Sequence, residues 1–67
     1  MSLAKVIEVM GEGKTMEEAV QNIVEEASQT VNNIKSVYVE NIQAIVENNT
    51  VAKYRLNAKV TFLLEKH

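Results

Sequence analysis

Apolar and polar residues alternate without a break from Ala52 to Phe62. Ala52, Tyr54, Leu56, Ala58, Val60, Phe62 and Leu64 share one parity, and Lys53, Arg55, Asn57, Lys59 and Thr61 share the other. A period of two belongs to a half-buried strand, not to a helix. At about 3.3 Å per residue this strand runs about 40 Å. A compact chain of this length has a radius of gyration near 11 Å, hence a diameter of roughly 28 Å. The strand outruns the globule it belongs to, so it curls or reaches into a neighbouring copy.

Upstream, Lys5 to Met10 reads as a short strand rich in β-branched residues, with Ile7 and Val9 on one side. Gly11-Glu12-Gly13-Lys14 reads as a turn that ends it. A phosphate-cradling loop needs a fuller glycine pattern than this. Thr15-Met16-Glu17-Glu18 is a capping box, with two acids at the positive end of the helix dipole. The stripe Met16, Val20, Ile23, Ala27, Val31, Ile34 steps by three and four, flanked by Ala19 and Val24. It predicts a helix from about Met16 to about Ile34. Ser36 to Glu47 is a second strand whose register blurs near Asn41 to Ala44, where a bulge switches faces. Glu47-Asn48-Asn49-Thr50 then makes a tight hairpin into the long strand.

These elements predict an α+β fold of β-α-β-β type in one domain, residues 1–67. The hairpin makes the last two strands antiparallel neighbours. Placing the long strand between the other two gives a three-stranded antiparallel sheet, order 1-3-2, wrapped around one helix with a right-handed crossover. The even-numbered residues of the long strand meet Val20, Ile23, Val24, Ala27 and Val31. The other sheet face carries Lys53, Arg55, Asn57, Lys59 and Thr61 beside Ser36, Tyr38 and Glu40, with Glu40 placed to pair with Arg55.

Composition narrows the function. A chain of 67 residues builds a small core, and without cysteine it has no disulfide or thiolate metal site. Self-association is the staple that remains. A net charge of −2 argues against nucleic acid as partner. No apolar run is long enough to span a bilayer, and no signal-peptide pattern is present, so the expected location is the cytoplasm. Glu17, Glu18, Glu25 and Glu26 form a solvated acidic face, not a metal site, since no histidine lies near and His67 sits at a terminus. With no cysteine, no internal histidine and no base–nucleophile pair, enzymatic activity is not expected.

The segments EEAVQN (Glu17 to Asn22), NIKSVYVENI (Asn33 to Ile42) and KYRLNAKVTFLLE (Lys53 to Glu65), behind a short first strand, resemble the dodecin family. The pattern YRxxxKVxFxL is the most specific part. The resemblance implies a small β-α-β-β protein that assembles into a hollow homododecamer and stores or sequesters a flavin, FMN or riboflavin, at interfaces between copies. Flavin-binding members carry a ring-stacking tryptophan at the start of the second strand and an edge-binding glutamine on the long strand. Ser36 and Arg55 stand at those positions here, and Gly11-Glu12-Gly13 replaces the usual Gly-Thr-Ser. The expected ligand-facing residues are Ser36, Tyr38, Gln43 and Arg55. Two readings stay open: a shell that holds a small ligand, and a structural or ion-binding shell with no organic ligand.

Overall fold

The computed structural model describes residues 2–65. His67 lies outside the described residues. The elements are β1 (Ser2–Gly13), α1 (Met16–Ser28), β2 (Ile34–Glu47) and β3 (Thr50–Glu65). They form one antiparallel sheet, order β1-β3-β2, with the long alternating strand in the centre as expected. The chain is elongated, 53 × 18 × 14 Å with a radius of gyration of 13.9 Å. The strand that outran its globule does so in the structure.

The core lies where α1 meets the middle of the sheet. Leu56, Ala58 and Val60 of β3 are buried against Ala19, Ile23 and Ala27 of α1, and Phe62 is buried beside them. The parity read along β3 therefore holds from Leu56 to Phe62. The helical contact line is displaced from the expected stripe: Ala19, Ile23 and Ala27 are buried, Val20 and Val24 are half-buried, and Met16 is exposed.

Gly11 and Gly13 explain the displacement, and here the expectation of a turn fails. Both glycines belong to β1, which continues through Gly13, and neither has a positive φ. Their role is close approach. A Cβ on Gly11 would overlap Ile23 Cγ1, and one on Gly13 would lie 2.8 and 2.9 Å from Glu18 C and Ala19 Cα. Four helical residues rise about 6 Å and two strand residues about 6.6 Å, so Ala19 and Ile23 stack in step over Gly13 and Gly11. The Asn22 side chain donates to the Glu12 carbonyl at 2.7 Å and ties the helix down.

The end of the helix and the place of the bulge in β2 also differ from expectation. The helix ends at Ser28, not near Ile34. Val31 and Ile34 still pack on the core, but from the connection and from β2. Ser28 and Thr30 hydroxyls bond back to the carbonyls of Glu25 and Ala27, and Asn33 takes φ 59°. Short polar side chains compete with the helical ladder in this way, and asparagine tolerates the left-handed region. The bulge in β2 falls at Glu40, between Val39 and Asn41, one residue before the expected stretch. Further irregularities stand at Ile34/Ser36 and Ile45/Val46.

Thr15 caps α1 by accepting from Glu18 N at 3.0 Å, while the Glu18 carboxylate reaches past it to Lys14 N at 3.2 Å. The hairpin forms at Asn48 and Asn49 as expected, with φ of 52° and 59°. Two consecutive positive φ values define the turn whose twist suits a two-residue hairpin.

Candidate functional site

The helix covers only one face of the sheet. The opposite face is built by the residues of β3 that point away from the core, Lys53, Arg55, Asn57, Lys59 and Thr61, and by their neighbours. On β1 these are Glu12 beside Arg55, Met10 beside Asn57, Glu8 beside Lys59 and Val6 beside Thr61. On β2 they are Gln43 beside Arg55, Asn41 beside Asn57, Tyr38 beside Lys59 and Ser36 beside Thr61. Val6, Met10 and Tyr38 are large apolar or aromatic groups left open to solvent.

All four expected ligand-facing residues lie on this face, but they fall into two groups. Ser36 and Tyr38 sit beside Thr61 and Lys59, and Gln43 sits beside Arg55. From Thr61 to Arg55 is six residues, or about 20 Å along β3. One copy of the chain therefore does not bring Ser36 and Arg55 to one ligand. Tyr38, 66% exposed, is the aromatic surface available at the first station, two residues along the same face from Ser36.

The second station is an ion cluster that the sequence reading missed. Glu12 accepts from Lys53 Nζ at 2.9 Å through Oε1 and from Arg55 Nε at 2.7 Å through Oε2. The hydrogen bond from Lys53, then that from Arg55, holds the Glu12 carboxyl below its ordinary range. The expected pairing of Arg55 with Glu40 is not formed; Glu40 meets Lys59 instead, at 3.5 Å. The bulge at Glu40 sets this, because it places Glu40 near Lys59 and leaves Gln43 opposite Arg55. A turn at Gly11 to Lys14, as the glycines suggest, gives Glu12 no sheet face. The alternation Val6, Glu8, Met10, Glu12, continued through the glycines, would have found it.

No three His, Asp or Glu side chains converge on a metal position among the described residues. No helix among them is long and apolar enough to cross a membrane.

Comparison with known proteins is consistent with this architecture. No curated protein matches the chain. Among solved structures, dodecin from Streptomyces coelicolor is 30% identical with a TM-score of 0.86, covering 98% of this chain and 96% of that one. A Thermus thermophilus protein is 24% identical with a TM-score of 0.89 over the whole of both chains. Dodecin from Streptomyces davaonensis is 23% identical with a TM-score of 0.88, covering 97% of each. T. thermophilus dodecin has also been solved with a tryptophan replaced by phenylalanine, whereas this chain has no tryptophan. The Dodecin family model matches residues 3–65. With nearly its whole length matched by that model and its strand order reproduced in these structures, the chain belongs to the dodecin family.

Proposed function

We propose that this protein is a non-enzymatic, hollow homododecamer that holds a small planar ligand between copies, on the sheet face opposite the helix. The observation that carries this reading is the separation of the two stations. Ser36 and Arg55 share one uncovered face yet lie about 20 Å apart along the strands, so a ligand touching both needs two copies. The surface area supports association. The chain exposes 5027 Å², where a compact 7.5 kDa protein exposes about 4250 Å². The surplus of roughly 800 Å² is what one partner contributes to a standard interface.

Apolar groups are exposed in several places, among them two separate patches: Val6, Met10 and Tyr38 on the open face, and Ile42, Val46 and Val51 on the hairpin. Two such patches suit a closed assembly, which needs more than one kind of contact.

The ligand class is aromatic, with a flavin as the family's example. Flavin affinity is expected to be low. Ser36 supplies almost no stacking area, and Arg55 is held by Glu12. Those two observations also favour a second reading, a shell with no organic ligand. Light scattering and a riboflavin fluorescence titration separate the possibilities. The expected mass is roughly 90 kDa for a dodecamer. A monomer or dimer at micromolar concentration overturns the assembly. Riboflavin is expected to bind at least about tenfold more weakly than to a Ser36→Trp, Arg55→Gln variant, a difference of about 1.4 kcal/mol. One stacked ring contributes about 1–3 kcal/mol. Equal affinities would refute this account of the site, and no binding by either protein would leave the ligand-free shell.

A further inference from the structure

The cluster at the second station has a surplus of positive charge. Glu12 is one carboxylate facing two cations, and each of its oxygens is already engaged. Lys59, by contrast, is matched one to one with Glu40. The surplus is local, because the chain as a whole carries −2.

The way Arg55 is held matters more than the count. Glu12 takes the guanidinium by Nε, and among the described residues none accepts from its two terminal amino groups. A guanidinium has five N–H donors in a fixed fork, and the outer pair matches two oxygens of a carboxylate or phosphate. The side chain is 38% exposed, so the charge is reachable from solvent yet partly desolvated. Gln43 stands directly across from Arg55 on β2, and no described group bonds its amide. Lys53, 41% exposed, adds an ammonium two residues along β3 on the same face. Two other carboxylates on that face are Glu8 and Glu40. They stand at Lys59 and at the bulge beside Asn57, away from the fork.

We propose that Arg55, Lys53 and Gln43 form a binding site for one oxyanion group, a phosphate or a carboxylate, with Glu12 as a resident counter-ion that meets only half of the cationic charge. The site needs no stacked ring. Riboflavin carries no such group, so its titration reports on the ligand reading above and leaves this one untouched.

The test is calorimetric titration of the full-length assembly at low ionic strength with inorganic phosphate and, separately, with acetate, the oligomeric state of every variant being checked by light scattering. Phosphate is expected to bind the wild type. R55Q should weaken it at least about tenfold. E12Q should tighten it, because removing the counter-ion leaves two unmatched cations. K59Q should leave affinity within about twofold, since that cation is matched elsewhere. Opposite signs for R55Q and E12Q are the signature of the site, because damage to the fold would weaken both. Tighter phosphate than acetate names a phosphate ester as the occupant, and the reverse names a carboxylate; both uphold the site. Absence of binding of both phosphate and acetate to the wild type overturns it. So does loss of binding in E12Q, or a loss in K59Q equal to that in R55Q, which would show only diffuse electrostatics.

Discussion

Gly13→Ala gives the sharpest test of how helix and sheet are joined. In an ordinary strand position with negative φ, replacing glycine by alanine stabilises by about 0.4–1 kcal/mol, because the unfolded chain loses freedom. Gly13 has no positive φ, so no backbone strain opposes the change. What opposes it is space. The new methyl would meet the backbone of Glu18 and Ala19, with Glu18 C at 2.8 Å and Ala19 Cα at 2.9 Å. These atoms belong to the capped first turn of α1 and cannot rotate aside as a side chain can. The helix must lift from β1, straining the 2.7 Å bond from Asn22 to the Glu12 carbonyl and loosening Ala19 and Ile23 in the core. Overpacking of this kind costs typically 1–3 kcal/mol and occasionally more, and rigid backbone neighbours place Gly13→Ala in the upper part of that range. Gly11→Ala should cost less, because its closest neighbour is the Ile23 side chain, though a fully buried one. Guanidinium unfolding followed by far-ultraviolet circular dichroism, at one fixed protein concentration, measures both against wild type. A neutral or stabilised Gly13→Ala protein would refute the close-approach argument and return the glycines to a turn role.

Phe62→Ala should cost about 3–5 kcal/mol per chain, since Phe62 is buried on the helix side, while Thr61→Ala on the open face should cost much less; equal losses in the same denaturation assay would show the parity of β3 to be wrong. The Glu12 carboxyl is held below its ordinary value of 4.5, so its pairing contributes fully above that value and is lost as pH falls through the depressed one. The stability gap between wild type and E12Q should therefore be constant near neutral pH and close on acidification, with a small size because the pairs are exposed; a gap that widens in acid would contradict the assignment.

Much of this protein was legible in its sequence wherever one local signal decided the outcome. The alternation along β3 needs only a period of two and one buried face, so strand, parity and central position followed from it. Thr15 and Glu18 marked the start of the helix because capping is settled within four residues. Asn48 and Asn49 marked the hairpin because few residues accept two consecutive positive φ values.

The remaining features were decided between elements. Glycine signals freedom along the chain, but Gly11 and Gly13 are used for what they lack beside a helix, and only the packed pair shows that. The apolar stripe ran on to Ile34, and polar bonds around Ala27 with a left-handed Asn33 ended the helix earlier. Glu12 found Lys53 and Arg55 more than forty positions away through the register of β1 on β3, which no local pattern encodes. The bulge at Glu40 then sent that carboxylate to Lys59 and set Gln43 against Arg55. Periodicity determines which face a residue takes; register and bulges determine which residues meet there, because a shift of one position exchanges every partner across the sheet.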